Sequence, residues 1–315
     1  MKRQIWPCVL GPCLLTIAAL WAGCSEQEHA AAPAAVQETY ASPEDAVFRL
    51  IDTARKGEFD LIVPILGPRL QDLEAETKER TEGDLQRLAA AYDRQHALLK
   101  EDDGSVTLEV GDQGWTFPAP IVEVNGRWRF DTEAGAKEIR ARRIDRNEED
   151  TIGTCLDFVA AQRAFFAMSA ARGESVPAYA PRFKSTPGKR DGLYWSDDIG
   201  PPRSPLGPMV ADAQAAGDLK LVEQPQAYQG YRGRVLTRQG KGAPGGEKNY
   251  LDGAGLLTGG FAFLAWPDAY GDTGVMTFQV YSDGTVYQKD LGEATADAAK
   301  AIEAFDPTGW EKVEP

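Results

Sequence analysis

The sequence has few of the residues on which metal sites and nucleophilic catalysis most often depend. Its 315 residues include two histidines, His29 and His96. A zinc site usually takes three or four histidine and cysteine ligands, and a Ser-His-Asp triad needs a histidine beside its nucleophile. The inventory therefore argues against both kinds of site, and we expect no metal and no cofactor.

Cysteine is also scarce. The four cysteines are Cys8, Cys13, Cys24 and Cys155. The first two fall in an apolar N-terminal run, and Cys24 ends it, so Cys155 has no partner for an internal disulfide. Cys155 lies at an apolar position of a helical pattern, which indicates a small buried hydrophobe rather than a reactive thiol.

Basic residues are outnumbered by acidic ones. The chain has 34 Lys and Arg against 48 Asp and Glu, a net charge of −14, which becomes −16 if residues 1–23 are removed with Lys2 and Arg3. Nucleic acid and anionic lipid surfaces repel such a chain. We therefore expect no nucleic-acid partner.

The N-terminus has the plan of an export signal. Lys2 and Arg3 precede about twenty mostly apolar residues, and no charged flank of a retained span follows. The run ends in Ala22-Gly23-Cys24, which resembles a bacterial lipoprotein box, with Trp21 where that family usually has Leu, Val or Ile. The resemblance implies a signal peptide over residues 1–23 and a lipidated Cys24. The alternative is an ordinary signal in which Cys24 is incidental.

The same resemblance implies a location. Ser25, rather than Asp, follows the cysteine, which in bacterial lipoproteins favours the outer membrane. We therefore expect a periplasm-facing lipoprotein of the cell envelope, held at the membrane through Cys24. Each buried CH₂ of the acyl chains contributes about 0.8 kcal/mol, so two or three chains hold a soluble domain firmly.

The rest of the chain divides by composition into a tether and two α+β domains. Residues 24–41 are rich in Glu, Gln, Ala and Pro and predict a flexible tether. Residues 42–134 are predicted to form an N-terminal domain, and residues 135–315 a second domain built on one long helix. Helices followed by antiparallel strands are typical of the α+β class.

In the first domain, Ser42-Pro43-Glu44-Asp45 predicts a helix start, and a later helix is predicted to carry Leu85 to Leu99 at steps of three and four. Asn125-Gly126 predicts a hairpin turn. This order of elements resembles the cone fold of the nuclear-transport-factor-2-like superfamily. His96 has two interpretations: a general base at the mouth of a cone pocket, or a histidine packed on the apolar stripe of its helix.

The second domain is predicted to open with a helix from Gly135 to Arg172. Its first part is crowded with arginines, which oppose the helix dipole. They are Arg140, Arg142, Arg143 and Arg146. One interpretation is that these arginines contact an acidic surface, either on a partner or on the first domain. The other is that they form salt bridges to Glu148, Glu149 and Asp150. Strands are predicted from Tyr231 to Leu236, Gly259 to Trp266, Val275 to Tyr281 and Thr285 to Gln288, with a short helix from Asp297 to Phe305.

A Gly- and Pro-rich section from Ser185 to Pro208 is the main candidate for a ligand or interface site. Loops of this length usually either carry function or are held by their own side chains. The candidate residues are Arg190, Asp191, Tyr194, Trp195, Tyr270, Lys289 and Asp290. Asp191, Tyr194 and Trp195 line a ligand groove on one interpretation and attach the loop to the core on the other.

Many short motifs resemble the bacterial family catalogued as domain of unknown function 2950. They include Trp128 to Asp131, Asn147-Glu148, Ala161 to Arg163, Asp191 to Trp195, Gly259 to Ala262, Gly274 to Phe278 and Val286 to Gly292. Within them, the helix end and the last strands are similar to pilin and pseudopilin domains. Pilins carry an apolar first helix half, which here is rich in arginine, so the resemblance does not imply filament assembly.

Catalytic motifs are missing from the sequence. The run Gly242 to Asn249 lacks the spacing of a phosphate-binding loop, and there is no Gly-x-Ser-x-Gly elbow. Asp283-Gly284 and Asp290 could together assist a calcium ion, but a hairpin turn explains Asp283-Gly284 better. We therefore predict a non-catalytic binding or envelope-assembly role, with an envelope protein as partner. The alternatives are a carboxylate-dependent hydrolase or lyase acting on an envelope polymer, using Tyr194, and a structural spacer.

Overall fold

The computed structural model describes residues 37–67, 78–207, 227–228 and 230–314. Over this part the chain is α+β, as predicted, with helices packed on antiparallel sheets and one helix much longer than the others. The predicted signal peptide, Cys24 and most of the predicted tether lie outside the described residues. No helix within them has the length and apolarity that crossing a bilayer requires.

The helices lie at the beginning, the middle and the end of the described chain. They are α1 (Pro43–Lys56), α2 (Ile62–Leu66), α3 (Lys78–Arg94), α4 (Thr132–Ala171) and α5 (Thr295–Ala301).

Two main sheets follow the chain order. The first contains β1 (His96–Lys100), β2 (Val106–Val110), β3 (Trp115–Thr116), β4 (Ile121–Val124) and β5 (Arg127–Phe130) in the order β1-β2-β4-β5, with β3 paired to β2. The second has the order β13-β12-β11-β10-β7-β6, and β8 pairs with β9 separately. Their strands are β6 (Ala227–Tyr228), β7 (Tyr231–Leu236), β8 (Arg238–Gln239), β9 (Lys248–Asn249), β10 (Ala262–Pro267), β11 (Met276–Tyr281), β12 (Val286–Asp290) and β13 (Glu311–Lys312).

Helix α1 begins and ends as its sequence predicts. The Ser42 side chain accepts a hydrogen bond from the Asp45 N–H, and Gly57 takes the left-handed conformation after the last turn. The inner face buries Val47, Leu50 and related residues against the first sheet. Burial of each such side chain contributes about 1.5–3 kcal/mol, so the apolar stripe holds the helix in place.

The packed chain begins before the predicted domain boundary at residue 42. The Tyr40 N–H donates to the Trp128 carbonyl at 2.7 Å, and the Trp128 N–H donates back at 2.9 Å. The Gln37 side chain donates to the Phe130 carbonyl at 2.8 Å, and Tyr40 is 9% exposed. The last residues of the predicted tether are therefore attached to strand β5.

The predicted helix over Leu85 to Leu99 is wrong at its end. Helix α3 stops at Arg94, and His96 to Lys100 form strand β1, paired in register with β2. His96 is exposed, its ring stacks on Tyr92 at 3.6 Å between centroids, and its Nδ1 lies 2.9 Å from the Tyr92 carbonyl. His96 is thus held by the last turn of α3, and the interpretation that packs it on an apolar helix stripe is wrong.

The Asn125-Gly126 hairpin is confirmed. Strands β4 and β5 pair from Ile121–Phe130 to Val124–Arg127, and Asn125 and Gly126 have φ of 53° and 75°. Two positive φ values in a two-residue loop match the right-handed twist of the flanking strands.

Helix α4 joins two hydrophobic clusters. Its N-cap is Asp131, four residues before the predicted start at Gly135, and the Asp131 side chain accepts from the N–H groups of Glu133 and Ala134. Forty residues extend about 60 Å. At one end Gly135 lies so close to Ala119 that a Cβ would be 2.8 Å from the Ala119 Cβ, and at the other end Cys155 and Phe158 are fully buried. The assignment of the two clusters to two domains stays a prediction.

Arg140, Arg142 and Arg143 pair with acids other than the predicted Glu148, Glu149 and Asp150, whereas the charge of Arg146 does act on Asp150. Arg142 pairs with Glu138 at 2.7 Å and donates to the Thr116 carbonyl at 2.8 Å, while Arg143 pairs with Asp272 at 2.5 Å. Glu148 instead accepts two backbone N–H groups. The cations therefore fix the helix to strand β3 on one side and to the β10–β11 loop on the other.

The second sheet matches the predicted strands to within three residues. Strand β7 has the predicted bounds, and β10, β11 and β12 carry the apolar runs. Gly284 has a φ of 96° in the predicted hairpin turn. Helix α5 is shorter than predicted, and the Arg234 guanidinium donates to the carbonyls of Ala299 and Lys300 in its last turn and of Ile302 after it.

Candidate functional site

Residues 182–206, here called the 182–206 loop, form a folded unit that packs on the hydrophobic cluster of Cys155 and Phe158 and contains one short 3-10 helix, Asp197–Ile199. Its two limbs exchange backbone hydrogen bonds: Ser185 N–H to the Tyr194 carbonyl and Tyr194 N–H to the Phe183 carbonyl, each at 2.8 Å. Gly192 permits this approach, since a Cβ there would lie 2.8 Å from three backbone atoms of the other limb. Leu193 is fully buried beneath the loop. Pro208, the end of the predicted section, lies outside the described residues.

Asp191 closes the tip of the loop. Its carboxylate accepts from the Thr186 N–H at 2.7 Å and from the Thr186 hydroxyl at 2.8 Å, and Arg182 lies 4.0 Å away. Burial opposes ionisation, but the hydrogen bonds from Thr186 outweigh it and lower the pKa of Asp191. Asp191 is therefore an ionised acceptor for its own loop.

Arg190 holds the second turn of the loop. Its Nη2 lies 3.0 Å from the carbonyls of Ile199 and Gly200 and 2.7 Å from that of Pro201. The guanidinium carbon also lies 5.9 Å from the centre of the Trp195 ring. Nη2 of Arg190 therefore binds backbone carbonyls of its own loop, and the guanidinium keeps its positive charge.

Trp195 fixes the base of the loop. It is 4% exposed, and its Nε1–H donates to the Pro202 carbonyl at 3.0 Å. Tyr194 is half-buried and packs against the same cluster. Ser204 is the exception in this loop, because its buried Oγ has no hydrogen-bond partner. Of the two interpretations of the loop, the geometry matches attachment to the core.

Of the other three candidate residues, Lys289 and Asp290 lie at the end of β12, and Tyr270 lies in the β10–β11 loop. The Tyr270 hydroxyl donates to an Asp290 carboxylate oxygen at 3.1 Å, and the other oxygen accepts from the Gly292 N–H at 2.7 Å. The hydrogen bond to Asp290 raises the pKa of Tyr270. Lys289 is exposed on β12, one residue from this pair. The structure thus brings Tyr270 and Asp290 together on elements different from the 182–206 loop.

Polar side chains of α4 form a set of contacts that sequence reasoning missed. Asn147 donates to the Thr273 carbonyl at 2.8 Å, and Glu148 accepts from the N–H groups of Val275 and Met276 at 2.9 and 3.0 Å. Gln162, fully buried, bonds both the carbonyl and the N–H of Ala180 at 2.8 Å. The available signal was a polar residue at a helix position where the spacing predicts an apolar one.

The titratable groups offer few catalytic candidates. Burial raises the pKa of the Cys155 thiol, which is completely enclosed, so this cysteine is a packing residue. Among the described carboxylates with a shifted pKa, only that of Asp150 is raised, through burial and through Glu149 beside it. Asp150 lies on α4 and not in the 182–206 loop. Within the described residues, no three His, Cys, Asp or Glu side chains converge as a metal site would require.

Comparison with known proteins gives one match. The family model described as "Protein of unknown function (DUF2950)" matches residues 37–313, so the chain belongs to this family. No curated protein and no solved structure matches it. The likenesses to pilins and to the nuclear-transport-factor-2-like superfamily stay predictions.

Proposed function

We propose that this member of the DUF2950 family is a membrane-anchored, periplasm-facing lipoprotein that acts by binding or by envelope assembly rather than by catalysis. The observation that carries the proposal is the 182–206 loop. Its Asp191, Arg190 and Trp195 side chains bind the loop's own backbone, so they give the loop a fixed shape instead of offering free catalytic groups.

A loop of fixed shape is suited to recognition. Because its backbone is already held, little conformational entropy is lost when a partner binds. The side chains left at its surface are charged: Lys189, Asp197, Asp198 and Arg203 are exposed. Groups of both signs on a rigid support favour a protein partner with a complementary charge pattern.

The proposed anchor rests on the sequence around Cys24. Lipidation of Cys24 would hold the chain at the outer membrane, and residues 25–36 would separate the packed part from the lipid surface. A tether of about twelve residues reaches an r.m.s. distance of about 20 Å when it is flexible. The partner is accordingly an envelope protein within reach of the anchored chain.

The test of the proposal is crosslinking in intact cells followed by capture of the full chain and identification of what is attached. One envelope protein recovered repeatedly from the wild type, and lost in Cys24→Ser, is the expected result. Recovery of nothing but abundant lipoproteins would contradict the assembly role. Mass spectrometry of the mature N-terminus checks the anchor separately, with a lipid-modified Cys24 expected.

A second candidate function is a carboxylate-dependent hydrolase or lyase acting on an envelope polymer. Burial raises the pKa of Asp150 despite the nearby charge of Arg146, and this is the direction of shift that a general acid needs, which favours this candidate. Turnover of purified envelope polymer that is lost in Asp150→Asn and kept in Asp145→Asn would establish it. Equal turnover by both variants would exclude Asp150 as the acid.

A further inference from the structure

Five steps of the chain join an Asp or Asn to a glycine, and the structure holds one of them differently from the others. They are Asp103-Gly104, Asn125-Gly126, Asp191-Gly192, Asp252-Gly253 and Asp283-Gly284. At such a step the glycine nitrogen can attack the side-chain carbonyl carbon, because glycine has no Cβ to obstruct the approach. The attack requires that the side chain and the glycine N–H are both free to move.

The four Asp-Gly steps are fixed by hydrogen bonds. Each of their carboxylates accepts at least one backbone N–H group at 2.7–2.9 Å. Three of the glycine N–H groups also donate, at 2.9–3.0 Å. Their acceptors are the Glu101 carbonyl for Gly104, the Ser185 hydroxyl for Gly192 and the Tyr281 carbonyl for Gly284. Attack at these steps must therefore first break hydrogen bonds.

The Asn125-Gly126 step is exposed at the β4–β5 turn and lacks these bonds. In the part of the chain that the structure describes, no hydrogen bond involves the Asn125 side chain, the Asn125 carbonyl or the Gly126 N–H. No atom from elsewhere in the chain lies within 4 Å of the position that a Cβ of Gly126 would take. The peptide that joins the two residues can therefore rotate while the flanking strands keep their pairing.

Rotation of this peptide converts the turn into the other type that is common in two-residue hairpins. The φ values of 53° and 75° are those of a type I′ turn. A type II′ turn keeps a positive φ at its first residue, where ψ is about −120°. Closure of a five-membered ring between the Gly126 nitrogen and Cγ of Asn125 sets ψ of Asn125 in the same range. The hairpin thus permits the conformation in which these two atoms meet.

We propose that Asn125 is a site of spontaneous deamidation in the folded protein. The Gly126 nitrogen bonds to Cγ of Asn125, the Cγ–Nδ2 bond breaks, and the departing amide takes the Gly126 proton and leaves as ammonia. Water then opens the resulting succinimide at one of its two carbonyls, which yields Asp or isoaspartate. The net reaction consumes one water, releases one ammonia and requires no oxidant or reductant.

The products differ from Asn125 in charge and in chain length. Both carry a new carboxylate, and isoaspartate adds one CH₂ to the main chain of a two-residue turn. Arg127, which follows the turn, donates to the Thr39 hydroxyl at 2.9 Å and to the Thr39 carbonyl at 2.5 Å. The modification therefore changes the turn beside the contact that attaches the end of the predicted tether.

The test is incubation of the full chain in detergent at mildly alkaline pH, with deamidated and isoaspartyl peptides separated and measured by mass spectrometry. Asn147 and Asn249 are the matched positions, since Asn147 donates to the Thr273 carbonyl at 2.8 Å and Asn249 accepts from the Leu251 N–H at 3.0 Å. We expect deamidation at Asn125 to be faster than at either position by about tenfold or more, because each hydrogen bond that must first break adds roughly that factor to the barrier. Equal rates at the three asparagines would overturn the proposal.

Comparison with the chain unfolded in urea separates the effect of the turn from that of the local sequence. Urea removes the hydrogen bonds of the fold, so isomerisation at Asp191 and Asp283 should accelerate by about tenfold or more, while the rate at Asn125 should change by less than about threefold. A folded-state rate at Asn125 that is suppressed as strongly as those at Asp191 and Asp283 would also overturn the proposal.

Discussion

The two halves of the described chain, residues 37–142 and 143–314, hold their backbones by different means. In the first half, short helices and a sheet with tight turns pair most backbone groups, and the buried polar residues are Thr53, Ser105 and Thr132. In the second half, long irregular segments are held by side chains.

Three buried glutamines hold irregular backbone segments of the second half. Gln162 bonds both backbone groups of Ala180, Gln279 bonds both of Asp306, and Gln239 bonds the carbonyls of Pro244 and Gly246. The amides of Gln162 and Gln279 take the place of a neighbouring strand, with one donor and one acceptor group each, while Gln239 donates to both of its carbonyls. The comparison teaches that a segment without periodic pattern can still be fixed, provided that a buried amide reaches it.

The largest effect is expected at Gln162. Gln162→Leu keeps the volume of the side chain but leaves the Ala180 N–H and carbonyl buried without partners. Each such group costs about 1–3 kcal/mol, so the free energy of unfolding should fall by about 3 kcal/mol in chemical denaturation. Gln113→Leu, on an exposed residue, is the control and should change it by less than about 0.5 kcal/mol. A loss below about 1 kcal/mol at Gln162 would contradict the comparison.

A smaller loss is expected at Glu148. Glu148→Ala removes the acceptor of two backbone N–H groups at the start of β11, and hydrogen bonds to a charged group contribute about 1.5–3 kcal/mol. We expect a loss of about 2 kcal/mol, with reduced hydrogen-exchange protection at Val275 and Met276. The neighbouring exposed residue provides the control, Glu149→Ala. Equal losses in the two variants would show that the contact is not responsible.

Next comes the 182–206 loop. Trp195→Phe removes the hydrogen bond to the Pro202 carbonyl and weakens the contact with Arg190, while most of the buried ring area remains. The expected cost is about 1 kcal/mol, confined to the loop. Limited proteolysis after Lys189 should become faster, with an unchanged rate at sites in the first half. An unchanged rate after Lys189 would mean that the loop does not depend on this bond.

The smallest expected effect is on how the free energy of unfolding falls at acidic pH. Hydrogen bonds from Thr308 and from the Gly242 N–H lower the pKa of Asp306. A carboxylate with a lowered folded-state pKa adds stability above its ordinary pKa of about 3.9, and this stability is lost as the pH falls through the folded-state value. Asp306→Asn should therefore flatten the fall in stability below about pH 4, with a constant difference from wild type above pH 6. If the free energy of unfolding of Asp306→Asn falls with decreasing pH as steeply as that of the wild type, this assignment is contradicted.

The sequence predicted the elements that have local signals. The cap at Ser42, the Asn125-Gly126 turn and the long periodic stretch of α4 each act over a few residues, so their patterns survive in any tertiary context. Strand β1 was missed because Tyr92, His96 and Leu99 keep helical spacing, while pairing with β2 decides the conformation. The Asp103-Gly104 turn, with a Gly104 φ of 86°, was the competing hairpin signal.

The sequence predicts where the candidate site lies better than it predicts what each of its side chains does. Composition located the 182–206 loop, because Gly, Pro and aromatic residues concentrate there. The roles of Arg190 and Asp191 depend on which carbonyls and N–H groups fold back on them, and no spacing rule encodes that. The glutamine contacts join residues 18 or more apart in two of three cases, so a local pattern carries no sign of the partner.

The most direct test of the binding role is a photocrosslinking residue placed at Lys189 in the 182–206 loop of the full chain in intact cells. The matched position is Lys137, an exposed lysine near the start of α4 with 74% side-chain exposure. A specific adduct to one envelope protein from position 189, and none from position 137, is the result that the account predicts. No adduct from position 189, or the same products from both positions, would contradict it.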